Sequence, residues 1–325
     1  LEPYRTPTYD EAVALCPVDY ALSNTEKNDV ILIGDSSCRC GINTRQFEKL
    51  TSLSAYNLGS FASNGVFSQL LTLQVYLGQH PPPRAVVLCL SPFQLLRVQG
   101  TDAGNASPLV EVTTAGALFE RFGRAFGPSS ARKSVFADGT ASLRYFMKRG
   151  TAVTNSHWVA FRSSHSPDRL EDPLYGYTSE TYKTLRSKTL EARGFFRMVK
   201  KHGPHLVLTE LDKPYSVVPW MDAGVRAFAK LAQSCPFRLI IRLAPMSSDQ
   251  AEWGGDEYLA TWLKQIEGDF AQVSICRPEM LWYDPEVCWD TIHLNTAGVE
   301  RFTSLVAKDV TEALDPRPKT ASRSK

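Results

Sequence analysis

Three short apolar runs, set apart by stretches with helical periodicity, most constrain what this chain can fold into. They are Val30-Ile31-Leu32-Ile33, Ala55-Tyr56-Asn57-Leu58 and Ala85-Val86-Val87-Leu88-Cys89-Leu90. Each is too short for a helix and, apart from Asn57, apolar on both faces, as a fully buried strand requires. Between the first two, Asn43 is placed to cap a helix, with Gln46 as its capping-box partner and Phe47 and Leu50 facing inward. Between the second and third, Phe67, Leu70, Leu71, Gln74 and Leu77 recur at helical spacing. Gly78 and the triplet Pro81-Pro82-Pro83 then end that helix. Strands joined by crossovers long enough for helices predict a parallel sheet covered on both faces, an α/β fold.

The regularity breaks between residues 95 and 215, where only helices near 115–126 and 178–201 are expected, among Gly/Ser/Thr-rich segments at 100–104 and 127–130. This stretch is basic. Residues 121–205 hold 16 Lys and Arg against 6 Asp and Glu, a surplus of ten, which leaves the rest of the chain at −8 within a total of +2. The α/β pattern resumes with a helix from Trp220 to Ser234 and a strand at 238–243. A helix at 255–267 and a strand at 272–275 follow, and Val299, Phe302, Val306 and Val310 mark a last amphipathic helix. The expected organisation is a discontinuous α/β core (1–94 and 216–314), a basic, cap-like insertion (95–215) and a disordered polar tail (315–325).

Composition excludes little. A net charge of +2 gives no ground for nucleic-acid binding, and the longest apolar run, at 85–90, is far too short to span a bilayer. The chain begins at Leu1 rather than Met, so a signal peptide or membrane anchor upstream is compatible with it. Seven cysteines lie at spacings without a zinc-site rhythm. Cys38 and Cys40, with one residue between them, lack the usual dithiol spacing. His202 and His205 have no acidic or cysteine companions, so a solvated basic loop is the plainer reading.

The chemistry-bearing residues converge. In an open parallel sheet, ligands bind beyond the C-terminal ends of the strands. Ser36 follows the first strand, Gly59 the second and Ser91 the third, so all three land on one rim. Asp290 and His293 lie in a polar loop before the last helix, and a three-residue separation lets both side chains point the same way. A serine hydroxyl needs an adjacent base to act as a nucleophile, and that base needs an orienting partner. Gly-Asp-Ser alone is common at strand ends, and Asp-x-x-His alone often only caps a helix. Their joint occurrence, one after the first strand and the other before the last helix, with Gly59 between, is the informative signal.

Gly34-Asp35-Ser36, Asn57-Leu58-Gly59 and Asp290-Thr291-Ile292-His293 resemble three of the four blocks of the SGNH (GDSL-type) hydrolase superfamily. The resemblance covers residues 28–94 and 237–312. It implies a flavodoxin-like three-layer α/β/α fold, Ser36 as nucleophile, His293 as general base and Asp290 as its orienter. It further implies backbone N–H groups of Ser36 and Gly59 as oxyanion donors. The third block departs: where the superfamily has Gly-x-Asn-Asp, this chain reads Leu90-Ser91-Pro92-Phe93-Gln94. The Ser91 hydroxyl, or Asn64 from the neighbouring turn, is then the candidate replacement donor.

Three readings follow. The first is a serine esterase that forms an acyl-enzyme on Ser36 and removes an acyl (acetyl) group from a carbohydrate or similar ester, with neither metal nor organic cofactor. The second, an O-acetyltransferase, hands the same acyl group to a polysaccharide hydroxyl. It is motivated by superfamily branches with altered third blocks, which act outside the cytoplasm, often behind an N-terminal membrane anchor. The third is a non-catalytic glycan-binding module, whose basic insertion would grip an acidic polysaccharide. Trp282, Tyr283 and Trp289, near the Asp-His loop, are candidates either to stack on a sugar ring or to fill the core.

Overall fold

The computed structural model describes residues 16–22, 24–60, 65–96, 179–196 and 215–315. Five strands form one wholly parallel sheet: β1 (Val30–Gly34), β2 (Ala55–Asn57), β3 (Ala85–Leu90), β4 (Arg238–Leu243) and β6 (Val273–Ser274). Their order is β2-β1-β3-β4-β6. A two-stranded parallel ribbon, β5 (Met246–Ser247) with β7 (Trp282–Tyr283), stands apart from it. Helices flank the sheet: α1 (16–22), α2 (Ser36–Gly41), α3 (Thr44–Thr51), α4 (Gly65–Gln79), α5 (Pro92–Leu95), α6 (Ser179–Glu191), α7 (Pro219–Ser234), α8 (Asp256–Asp269) and α9 (Thr296–Leu314).

Strand alternation divides the apolar residues between two cores. Ile31, Ile33, Val86, Leu88, Leu239 and Ile241 join the apolar faces of α4, α7 and α8. Their neighbours Val30, Leu32, Val87, Cys89 and Ile240 join α2, α3 and α9. All six residues of β3 are fully buried, so both faces contribute to burial. Each such Val or Leu side chain stabilises by about 1.5–3 kcal/mol. On the last helix Val299, Phe302, Val306 and Val310 are all buried, as their spacing predicts.

Three details differ from expectation. The helix expected at 178–201 ends at Glu191, and the chain turns at Arg193 and Gly194, both with positive φ. Asn43 caps α3 by accepting the Gln46 N–H, but the Gln46 side chain does not return the bond. Its Nε2 donates to the Glu300 carbonyl, tying α3 to α9, and the Asn43 N–H donates to Thr303 Oγ1. Leu50 points outward and is 54% exposed, because the inner face of this two-turn helix is already filled by Phe47.

From the insertion, α6 and the segment after it pack on the core. Arg193 O accepts the Asn57 N–H at 3.0 Å, and Arg193 Nε donates to the Ala55 carbonyl at 2.9 Å. The Phe196 N–H reaches the Arg39 carbonyl on α2. This segment therefore runs along the outer edge of β2. The expected helix at 115–126, Asn64, His202, His205 and the tail from 316 lie outside the described residues. Among the described residues no helix is long and apolar enough to cross a membrane.

Candidate active site

All strands of the main sheet run the same way, so the segments leaving β1, β2 and β3 share one edge. β1 ends at Gly34, where a Cβ would lie 1.8 Å from the Cys89 carbonyl oxygen; only glycine lets the exits of β1 and β3 come so close. Asp35 follows as the N-cap of α2, and Ser36 is that helix's first residue. The six residues of α2 are Ser-Ser-Cys-Arg-Cys-Gly, all but Arg39 weak helix formers, in a helix too short to persist alone. Every one of them is buried, so packing holds the helix. Asn57 adds a polar strut: its Nδ2 donates to the Cys38 and Ile42 carbonyls at 3.0 and 3.4 Å.

The Asp290–His293 loop is closed by the antiparallel bridge between Cys288 and Leu294 and by Trp289 N–H donating to His293 O at 2.8 Å. Ser247 N–H, from β5, holds Thr291 O. Within the loop, Asp290 Oδ1 accepts the N–H groups of Ile292 and His293 at 2.8 and 2.7 Å. Its other oxygen, Oδ2, lies 2.7 Å from His293 Nδ1. Nε2 of the same ring lies 2.9 Å from Ser36 Oγ. An ionised carboxylate only accepts, so Nδ1 carries the proton of the neutral ring and Nε2 is left to accept the serine O–H. Three side chains from opposite ends of the chain thus form one line of hydrogen bonds.

The electrostatics are consistent with this line. Burial pushes the Asp290 carboxyl up, but its hydrogen bond and electrostatic attraction to His293, with the two backbone N–H groups, outweigh burial and hold it below the usual aspartate value. Asp35 differs. Its full burial raises the carboxyl despite N–H donors from Ser91 and Ser37. Burial also raises the Cys38 thiol well above its ordinary range and pushes Cys40 up to about 12. Neither thiol beside Ser36 is poised as a thiolate.

The rim donors are partly committed. The Ser36 N–H, at the first position of a helix, has no intrahelical acceptor. The Gly59 N–H donates to Asn57 Oδ1 at 2.8 Å, and the Ser91 N–H to Asp35 Oδ2 at 2.8 Å. The Ser91 hydroxyl is buried and makes no hydrogen bond. Of the three aromatic candidates, Trp289 stands edge-on to the His293 ring, with centroids 6.1 Å apart. Trp282 instead donates to Asp256 and packs on one core, and Tyr283 packs on the other. Among the described residues no group of three or more His, Cys, Asp or Glu side chains is placed to hold a metal ion.

Sequence reasoning placed Asp35 and Asn57 within their motifs but gave neither a role of its own, although each carried a signal. Aspartate before a short polar stretch is an N-cap signature, and Asn two residues before Gly is an Asx-turn signature. The chain matches no protein-family model, and no curated protein matches it.

Proposed function

We propose that this protein is a serine esterase of the SGNH type, acting through an acyl-enzyme on Ser36. The observation that carries the reading is the unbroken line from Asp290 Oδ2 through His293 to Ser36 Oγ, at 2.7 and 2.9 Å. The strand order β2-β1-β3-β4-β6, with helices packed in two separate cores, supports a flavodoxin-like layering.

In this mechanism Ser36 Oγ attacks an ester carbonyl carbon while its proton passes to His293 Nε2. Asp290 keeps Nδ1 protonated and stabilises the imidazolium that forms. Collapse of the tetrahedral intermediate breaks the bond to the alcohol oxygen, which leaves with the Nε2 proton. Water then repeats the sequence at the acyl carbon and releases the acid. The Ser36 N–H is the ready oxyanion donor. Gly59 contributes once its N–H exchanges Asn57 Oδ1 for the substrate oxygen, and each such donor is worth roughly 2.7–4 kcal/mol of barrier. The substrate class is an acylated carbohydrate or similar ester, and Trp289 beside the base offers its ring an apolar wall.

The test compares wild type with Ser36→Ala in hydrolysis of a short-chain aryl acetate and in labelling by a fluorophosphonate. Wild type should turn over and label; the variant should do neither. A folded wild type that does neither would overturn the reading. The committed Gly59 and Ser91 amides favour one second reading, a glycan-binding module on a non-hydrolytic scaffold, and that same result would support it. Capture of the acetyl group by an added sugar, in competition with water, would make the enzyme an O-acetyltransferase.

A further inference from the structure

We infer that Asp35 is a positioning residue, a buried carboxylate that bridges the exits of β1 and β3 and thereby fixes Ser36 opposite His293. The inference rests on the esterase reading and deepens it. β1 lies between β2 and β3, so the chain leaves β1 toward one side and returns on the other. The crevice where open α/β sheets bind ligands therefore opens between the ends of β1 and β3. Asp35 spans its floor. One carboxylate oxygen accepts the Ser37 N–H on α2 at 2.8 Å, and the other accepts the Ser91 N–H just past β3 at 2.8 Å. The side chain is wholly buried and so does not meet substrate; whatever it does to the reaction passes through the backbone it holds.

The demand for such a strut is local. α2 is six residues long and cannot fix its own orientation. Asn57 secures its far end, through the Cys38 and Ile42 carbonyls. Asp35 secures the near end, adjacent in sequence to the nucleophile. A displacement of about 1 Å at a reacting group is enough to cost roughly a hundredfold in rate. Swinging α2 about its Asn57 strut produces a displacement of that kind.

Asp35→Ser is the informative variant, because serine keeps the helix cap on Ser37 but is too short to reach Ser91. Asp35→Asn presents one acceptor oxygen and sets an NH₂ group against the other amide. The fluorophosphonate reaction of Ser36 separates two effects. A residue that only stabilises the fold changes the fraction of protein that labels, whereas a positioning residue changes the rate constant of the fraction that does.

Both variants should label to the wild-type end point with a rate constant lowered at least tenfold. On an aryl acetate, kcat should fall while KM stays within about threefold. Rate constants within twofold of wild type, or a loss confined to the end point, would overturn the role of Asp35 and leave the esterase reading intact. An unreactive, folded wild type would remove both. Hydrogen exchange of the Ser91 amide in the wild-type protein gives a measurement independent of how the variants fold. Slow exchange supports the bridge, and exchange at the rate of an open loop refutes it.

Discussion

His293 Nε2 and Ser36 Oγ meet at 2.9 Å although 257 positions separate them in the chain. Three separate pieces of backbone produce that meeting: the turn after β1 where Asp35 caps α2, the bridge between Cys288 and Leu294, and the Ser247 bond to Thr291. None of them is shared between the two residues. The alignment is therefore a property of the whole sheet edge rather than of one loop.

Asp290→Asn should retain the fold and lose the reaction. An amide at this position can donate to Nδ1, which turns the proton to Nε2 and leaves no acceptor for the Ser36 hydroxyl. A fall in kcat of about 10⁴-fold is expected, with KM little changed. Steady-state hydrolysis of an aryl acetate reads both, and a variant within tenfold of wild type would remove Asp290 from the line.

The two aspartates should leave opposite marks on stability against pH. Asp290 sits below the ordinary aspartate value of 3.8, so its contribution is present above that value and is lost as pH falls through its lowered one. Asp35 sits above 3.8, so its contribution is present below that value and is lost as pH rises through its raised one. In thermal melts, wild type should lose its advantage over Asp290→Asn as pH drops below about 4. The Tm of Asp35→Asn relative to wild type should climb with pH. Parallel curves would contradict both assignments.

Gly59→Ala probes the approach of the β2 exit to α2. The added Cβ would lie 2.7 Å from Asn57 Oδ1 and 2.9 Å from the Arg39 backbone nitrogen, so the helix backbone itself must give way. A loss of about 1–3 kcal/mol in unfolding free energy is expected, in the range of overpacking. The labelling rate of Ser36 should fall with it, and an unchanged rate would show that α2 tolerates the shift.

Asp309→Asn separates stability from chemistry. Asp309 is buried on α9, where its carboxylate meets the Arg277 guanidinium and lies 3.6 Å from Arg242 Nε. Arg242 is equally buried on β4, and burial lowers its pKa to about 10. Removing the carboxylate strands that charge in the core, a change that costs about 3–5 kcal/mol. Chemical denaturation should show the loss, while the folded fraction labels at the wild-type rate.

How legible all this was in the sequence depended on whether the cause was local. β1, β3 and β4 are nearly continuous apolar runs because both of their faces are covered, and that writes itself into five or six adjacent letters. Asn43 and the prolines mark helix ends by backbone chemistry alone, whereas Gly78, expected to end its helix, lies within α4, which runs on to Gln79. α2 was invisible, since a run of Ser, Cys, Arg and Gly has no helical preference and is shaped entirely by its neighbours. The outward turn of Leu50 and the burial of Arg39 and Arg242 are likewise decided by partners distant in the chain. The meeting of Ser36 with Asp290 and His293 was legible because two short local motifs, Gly-Asp-Ser and Asp-x-x-His, carry the three residues. The fate of the Gly59 and Ser91 amides was not, because a neighbouring side chain claims each of them.

The stretch from Arg193 to Phe196, lying along β2, changes what counts as a minimal protein. It occupies backbone groups of an outer strand that would otherwise stand open as a template for another chain. Excising the insertion as a detachable lid would expose that seam and invite copies to zip together, while freeing the back of α2 at Arg39. A shortened version meant to simplify the protein would need to keep residues 179–196 in place.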